Sequence, residues 1–289
     1  MIKKSELILN PDGSVYHLNL KPENIATNII FVGDQDRVEQ ITSRFDEIFF
    51  TTQKREFKTQ TGIYKNTPIT VISTGIGPDN IDIVMNELDA LVNIDLLNKQ
   101  PKKDLNSLNI IRIGTSGSLQ KEILVDSFVM SVYGLGLDNM LRFYKIDGKT
   151  ENSIEEAFIN HTNWDTRKGR PYCIKASDKL VKIFESDQLF FGFTATAAGF
   201  YGPQGRILRL PIADELLNNK MENFEFNDIR ITNLEMETTA IYGLGALLGH
   251  HTLSLNAIIA NRPMGEFSQN PNQVIENLID YTLDRIIKI

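Results

Sequence analysis

Short apolar runs rich in β-branched and aromatic residues recur along the chain, and glycine or polar residues follow most of them. Runs of this length and composition predict buried strands, several of them parallel. The runs cover residues 28–33, 67–75, 109–114, 128–133, 189–195 and 254–261.

Stretches with helical periodicity separate these runs and cover residues 36–44, 81–97, 178–185, 237–248 and 272–287. Strands that alternate with helices predict a single α/β domain over residues 1–289, with a mixed, mostly parallel central sheet flanked by helices. The polar segment 138–171 contains the only tryptophan, Trp164, and shows little periodicity. We expect it to be a loop-rich, insertion-like region with room for a short helix at residues 153–160.

The composition excludes several classes of protein. Thirty basic and 37 acidic residues give a formal net charge of −7, which argues against nucleic acid as a partner because binding to a phosphate backbone needs a basic field. A single cysteine, Cys173, excludes an intramolecular disulfide and a cysteine-based metal cluster. No signal-peptide core is visible, and the most apolar stretch, residues 240–260, is too polar for a membrane span. We therefore expect a cytoplasmic protein.

Glycine-containing loops with the spellings GDQDR, STGIG and RIGTSG follow three of the predicted strands. Ligands of open α/β sheets bind beyond the carboxyl ends of the strands, and glycine there lets backbone N–H groups approach an anion. Arg37 follows the first strand, and Arg112 lies inside an apolar run, where a charge is costly unless it is paired or meets an anion. With Thr115, these arginines predict a phosphate site, and a structural ion pair is the alternative.

The type of phosphate ligand follows from motifs that are missing. The chain contains no Walker A loop, and its GIG lacks the third glycine of the dinucleotide-binding fingerprint. Free phosphate is therefore favoured over a dinucleotide.

A second motif, GFYGPQGR at residues 199–206, combines an aromatic residue, an amide and an arginine. Phe200 could stack on a planar heterocycle, Gln204 offers one donor and one acceptor to an amide-like edge, and Arg206 can donate to a carbonyl oxygen. The alternative is an ordinary surface loop.

A third motif, NLEMET at residues 233–238, places Glu235 and Glu237 two positions apart at a strand-like junction, where both would face the same way. A carboxylate can accept from two vicinal hydroxyls at once, as in ribose. The alternative is that these acids are favoured at a helix N-terminus by the macrodipole.

These motifs, together with REF at residues 55–57 and NR at residues 261–262, resemble the uridine phosphorylase branch of the nucleoside phosphorylase superfamily. The resemblance runs from about residue 16 to residue 262. It implies a nucleoside phosphorylase-like fold and phosphorolysis of a pyrimidine nucleoside, in which uridine and phosphate become uracil and ribose 1-phosphate during nucleoside salvage.

The resemblance also implies roles for individual residues. Arg112, Gln204, Arg206 and Glu237 would be the catalytic residues. Phosphate would be bound by Gly33, Arg37, Arg112 and Thr115, with Arg55 supplied by a neighbouring subunit. Ribose would be bound by Met236 and Glu237, with His17 supplied by the neighbour. The base would be bound by Phe200, Gln204 and Arg206, beside Ile258 and Ile259.

A homo-oligomer of at least two chains follows from those shared residues, and dimer and hexamer both stay open. The resemblance implies phosphate as a co-substrate, no other cofactor and no catalytic metal. The family's monovalent-cation site at the subunit interface is altered here, because Pro78, Asp79 and Asn80 replace the usual glycine, proline and serine.

Three alternative functions remain open for this sequence. A purine nucleoside phosphorylase carries an acidic residue after the last core strand, where this chain has Asn261 and Arg262. A nucleosidase would lack the phosphate arginines, whereas Arg37 and Arg112 are both present. A non-catalytic nucleoside-binding relative is disfavoured because every chemistry-bearing position is filled.

Overall fold

Strands and helices alternate along most of the chain in the computed structural model, which describes residues 2–289. The strands are β1 (Asn28–Val32), β2 (Glu47–Lys54), β3 (Phe57–Tyr64), β4 (Thr67–Ser73), β5 (Ile94–Asp95), β6 (Gln100–Pro101), β7 (Asn109–Ser118), β8 (Phe128–Gly136), β9 (Tyr172–Lys175), β10 (Leu189–Thr196), β11 (Glu225–Phe226), β12 (Ile229–Glu235), β13 (His251–Asn261) and β14 (Glu266–Phe267). The α-helices are α1 (Gln35–Thr42), α2 (Pro78–Asn93), α3 (Asn152–Thr162), α4 (Asp178–Phe184), α5 (Leu217–Glu222), α6 (Thr238–Leu248) and α7 (Pro271–Ile286).

Twelve of the described strands form one mixed sheet in the order β11-β12-β10-β8-β13-β7-β1-β4-β3-β2, with β9 beside β8 and β14 beside β13. β13, β7, β1 and β4 are parallel to one another, as are β8, β10 and β12. β8 pairs antiparallel with β13. The mixed sheet flanked by helices confirms the predicted α/β fold class.

An additional antiparallel pairing between β12 and β7 closes part of this sheet into a ring of β7, β12, β10, β8 and β13. Leu234 lies opposite Gly117, and Asn233 lies opposite Ser118. The carboxyl-terminal ends of β7 and β12, which β10, β8 and β13 separate in the sheet order, are therefore paired. This pairing brings the RIGTSG and NLEMET motifs together, although 117 residues separate Ser116 from Asn233.

Apolar residues on one face of each helix pack against the sheet. Helices α1, α2, α4, α6 and α7 contribute to the larger hydrophobic core, through residues such as Leu88 and Leu278. Helices α3 and α5 pack in a second core with β10 and β12, where Phe158 and Met221 are fully buried. None of the helices in residues 2–289 combines the length and the hydrophobicity that a membrane span requires.

The structure contains strands that the sequence pattern does not predict, among them β2, β3 and β12. The sequence pattern does not predict the β2–β3 hairpin, because polar residues such as Thr51, Gln53, Thr59 and Gln60 interrupt the apolar positions of both strands. β7 continues to Ser118, past the glycines that predict a loop, because its end pairs with β12 and β13.

The segment 138–171 contains more structure than its polar composition predicts. Helix α3 lies close to the predicted position and buries Ile154 and Phe158. Glu155, fully buried, receives hydrogen bonds from Arg142, Arg170 and the backbone N–H of Cys173. The segment is therefore anchored to β9 by a buried carboxylate as well as by apolar packing.

Candidate active site

A cavity of about 840 Å³, called the main cavity below, opens where the ends of β7 and β12 pair. The loops after β1, β4 and β10 complete its walls. The sequence-predicted residues that line it are Gly33, Arg37, Arg112, Thr115, Phe200, Gln204, Arg206, Met236, Glu237 and Ile259. The three motifs with predicted chemistry therefore meet at one concave surface, the usual form of a small-molecule site.

Arg112 is buried in the main cavity wall. Its Nη1 donates to Asn256 Oδ1 over 2.9 Å, and its Nη2 lies 2.5 Å from Glu237 Oε2 and 3.3 Å from Glu235 Oε2. Residues two apart on a strand share a face, so the guanidinium folds over Gly114. A Cβ at Gly114 would lie 1.7 Å from Nη1. Gly114 thus makes room for the arginine, whereas the motif alone predicts close approach of the backbone to an anion.

Glu235 and Glu237 share the guanidinium of Arg112 and are otherwise bound differently. Glu237 Oε1 accepts the Gly77 N–H over 2.8 Å, which ties the loop after β4 to the start of α6. Glu235 accepts the backbone N–H groups of Glu237 and Thr238, each over 2.9 Å. Glu235 therefore caps a helix N-terminus, and both carboxylates face the main cavity, where the ribose role of Glu237 stays a prediction.

Burial and the attraction between Arg112 and its carboxylates shift the pKa values of this cluster in opposite directions. Complete burial, reinforced by Glu235, raises the pKa of Glu237, although Arg112 opposes the shift. Burial alone would lower the pKa of Arg112, but the charges of Glu235 and Glu237 overcome it and raise that pKa. Two buried carboxylates around one guanidinium carry a surplus negative charge, so one of them holds its proton more tightly than usual.

Arg37, in the first turn of α1, brings a second guanidinium to the main cavity. Its Nε is buried and has no hydrogen-bond partner within residues 2–289. Burial, and then the positive charge of Arg112, lower the pKa of Arg37. A buried donor without a partner, next to a second arginine, suits a bidentate oxyanion such as phosphate.

Phe200, Gln204 and Arg206, from the loop after β10, form a further part of the main cavity wall, called the base end below. Arg206 Nη1 donates to the Phe200 carbonyl over 2.7 Å and to Gln204 Oε1, and its guanidinium lies 3.9 Å from the centroid of the Phe200 ring. Arg206 therefore occupies one face of the ring on which the sequence predicts a heterocycle. Gln204 is buried, with its oxygen engaged by Arg206, so its amide N–H₂ is the group left for a ligand.

Arg262, the second residue of the NR motif, does not line the main cavity but contacts the base-binding loop. Its Nη2 donates to the Gln204 carbonyl over 2.6 Å, and its Nη1 is buried without a partner in the described part of the chain. Burial, and then the charge of Arg206, lower the pKa of Arg262. The Asn261 amide instead donates to the carbonyls of residues 120, 121 and 123 and supports the backbone.

Three predicted site residues do not line the main cavity. Ile258 is fully buried in a small core with Ile123 and Val129. Arg55 is exposed at the tip of the β2–β3 hairpin with a φ of 56°, and its carbonyl accepts a hydrogen bond from Gln35. His17 also lies outside the lining.

His17 is held firmly by Glu87, a residue of α2 that sequence reasoning did not single out. The carboxylate accepts the backbone N–H groups of His17 and Leu18 over 3.0 and 2.8 Å, and it lies 2.7 Å from His17 Nδ1. The imidazole is thereby oriented, and its Nε2 is left for another partner.

Comparison with known proteins places this geometry in a family. The family model described as the phosphorylase superfamily matches residues 27–288. A uridine phosphorylase of Thermococcus kodakarensis is 27% identical over 259 residues, which are 89% of this chain and 81% of that protein. A DeoD-type purine nucleoside phosphorylase of Bacillus thuringiensis is 26% identical, over 94% of this chain and 98% of that protein.

A solved structure shares the whole architecture. The chain superposes on a Trypanosoma brucei nucleoside phosphorylase, described as showing uridine phosphorylase activity, with a TM-score of 0.89 and 28% identity. The match covers 98% of this chain and 100% of that one.

The raised pKa of Glu237 predicts a pH-dependent effect on stability. A carboxyl that binds its proton more tightly in the folded state stabilises the fold fully below its unfolded pKa, near 4.5, and this contribution is lost as pH rises through the folded pKa. Glu237→Gln removes this proton equilibrium. The free energy of unfolding of Glu237→Gln minus that of the wild type should therefore rise between pH 4.5 and 7.5, as measured by urea denaturation. A difference that stays constant with pH would contradict the assignment.

Proposed function

Because the chain belongs to the phosphorylase superfamily, we propose that it is a nucleoside phosphorylase that converts uridine and phosphate into uracil and ribose 1-phosphate in nucleoside salvage. The observation that carries the proposal is the unpaired guanidinium of Arg37 beside Arg112. A nucleosidase, which uses water as its nucleophile, has no need for this second buried cation.

Phosphate would lie between Arg37 and Arg112, with Gly33 and Thr115 beside it. One phosphate oxygen attacks the anomeric carbon of ribose, and the bond from that carbon to the base nitrogen breaks. Its electron pair leaves with the base, which then takes a proton from water. The protein supplies no nucleophile, so its contribution to this step is to position phosphate and stabilise charge.

Ribose would lie against Met236 and Glu237. The carboxylate of Glu237 uses one lone pair of each oxygen for Gly77 and Arg112, and the remaining lone pairs can accept the two vicinal hydroxyls. A cationic sugar in the transition state is favoured beside the surplus negative charge of Glu235 and Glu237.

The base end favours a pyrimidine that leaves as an anion. Gln204 and Arg206 bring side-chain donors to this part of the main cavity, and Arg262 donates to the Gln204 carbonyl. Uracil presents two carbonyl oxygens to such donors. A purine is favoured instead by an acid near its N7, and the residue after β13, Arg262, is a cation.

The direct test is release of uracil from uridine with and without phosphate, with inosine and adenosine as competing substrates. We expect turnover that requires phosphate and strongly prefers uridine. Faster turnover of inosine or adenosine would move the assignment to the purine branch, and turnover that is independent of phosphate would move it to a nucleosidase.

Arg37→Met tests the phosphate site with little risk to the fold, because Arg37 forms no ion pair with a carboxylate in the described chain, whereas loss of Arg112 would leave two buried carboxylates unpaired. Loss of one oxyanion contact should lower kcat/KM for phosphate on the order of 10²-fold. Steady-state kinetics measure the change, and Arg167→Met, a highly exposed arginine, is the matched control. Wild-type kinetics for Arg37→Met would refute the phosphate assignment.

Gln204→Leu tests the base site. The substitution leaves a similar volume but removes the amide that faces the ligand, so kcat/KM for uridine should fall by about 10- to 100-fold. The rate ratio of uridine to inosine should fall with it. An unchanged ratio would count against the assignment of this loop to base recognition, and circular dichroism checks that the fold is retained.

His17 and Arg55 lie outside the main cavity of their own chain, and we propose that both serve the site of a neighbouring subunit. A hybrid of a His17→Ala subunit and an Arg37→Met subunit would then contain one wild-type site and one doubly defective site. Random pairing after co-expression should restore about a quarter of wild-type activity. If each chain builds its own site, the mixture will show no more activity than the two parents measured separately.

A further inference from the structure

A second cavity, called the side cavity, lies on the far side of the base-binding loop and has a volume of about 780 Å³. The loop of residues 208–214 forms one wall, and Trp164 and Lys168 of the segment 138–171 lie on another. Among the described residues, Arg206 is the one residue that lines both cavities. No role in the proposed reaction uses the remaining residues of the side cavity.

The walls of the side cavity are largely apolar and are left uncovered. Leu208 and Leu210 are 78% and 69% exposed, although they flank a cavity that also contains Pro211 and Leu217. The indole of Trp164 is fixed from behind, since its Nε1 donates to the Gly169 carbonyl over 2.7 Å. Exposed apolar side chains around a formed concavity are typical of a binding site.

The basic side chains that line the side cavity lack ion-pair partners among the described residues, whereas the acidic ones are held by their neighbours. Lys168, Arg206 and Arg209 form no ion pair within residues 2–289. The two carboxylates in the wall are already engaged. Asp138 accepts the Tyr172 hydroxyl and the Met140 N–H, and Asp214 pairs with Lys220 over 2.8 Å.

We infer that the side cavity binds a small amphipathic anion, an organic molecule with an aromatic or aliphatic body and one carboxylate, sulfonate or phosphate group. The body would lie against Trp164, Leu208 and Leu210, and the anionic group would pair with Lys168, Arg209 and Arg206. Guanidinium and ammonium groups around an apolar floor complement both parts of such a molecule.

Occupancy of the side cavity would act on the base site through Arg206, a consequence that rests on the proposed function. Arg206 otherwise donates to Gln204 and Phe200 within the base-binding loop. An anion in the side cavity competes for this guanidinium and withdraws it from the base end. Bound anion would therefore weaken nucleoside binding, and nucleoside would weaken anion binding by the same factor.

The probe is 8-anilinonaphthalene-1-sulfonate, and Trp164, the only tryptophan, is its reporter. Excitation of Trp164 should give saturable energy transfer to one bound probe per full-length chain. The double variant Lys168→Glu with Arg209→Glu should raise the Kd of the probe at least about tenfold, because two carboxylates that repel the sulfonate replace two cations that attract it. The matched control is Lys103→Glu with Lys121→Glu, two exposed lysines whose reversal makes the same change in net charge and should leave the Kd unchanged.

A second variant, Arg37→Met, tests whether the probe binds in the side cavity or in the main cavity. Arg37→Met alters the main cavity only and should leave probe binding intact. Absence of transfer from Trp164, equal Kd values for the two charge-reversed variants, or loss of binding in Arg37→Met would each overturn the inference.

The coupling is measured separately from the binding. Saturating probe should raise KM for uridine by about fivefold in the wild type, and it should leave KM unchanged in Lys168→Glu with Arg209→Glu. An unaltered KM in the wild type would refute the coupling while leaving the binding site established. If the chain does not turn over uridine, the proposed function fails, and the energy-transfer result still decides whether the side cavity binds the anion.

Discussion

A single buried guanidinium, that of Arg112, holds the site together. Moving an arginine out of water costs several kcal/mol and is tolerated only where hydrogen bonds and opposite charges surround it. Here the partners come from three elements: Asn256 of β13, Glu235 at the end of β12 and Glu237 before α6. These elements must meet at β7, because a missing partner would leave a charge buried without compensation.

The same constraint explains the neighbouring loops. Glu237 binds Gly77 as well as Arg112, so the loop after β4 is fixed by the cluster that fixes β7 and β12. Gly114 has no side chain because the guanidinium occupies that volume. Arg37, in the first turn of α1, takes no part in these contacts and keeps an unpartnered buried donor. Arg112 therefore organises the site through its carboxylate partners, whereas Arg37 keeps a donor that can bind an anion.

Much of the fold follows from local pattern, and the exceptions share a cause. The buried strands β1, β4, β7, β8, β10 and β13 carry continuous apolar runs and were predicted, as were the long helices. The sequence pattern does not predict the β2–β3 hairpin or β12, because polar residues interrupt the apolar positions of these strands. At the site, Asn256 and Arg262 were not assigned, although a polar residue inside the apolar strand β13 was a visible signal for the first.

The sequence by itself determined which chemical groups lie at the strand ends: arginines and glycines after β1 and in β7, an amide and an arginine after β10, and two acids at the end of β12. Only the tertiary structure decided how they combine. Glu237 binds Arg112, which lies 125 residues away in the sequence. The Arg206 guanidinium packs on the Phe200 ring, and His17 contacts Glu87 outside the main cavity. The reason is physical, since residue type and strand ends are local properties, whereas the closure of β12 on β7 depends on the packing of the entire sheet.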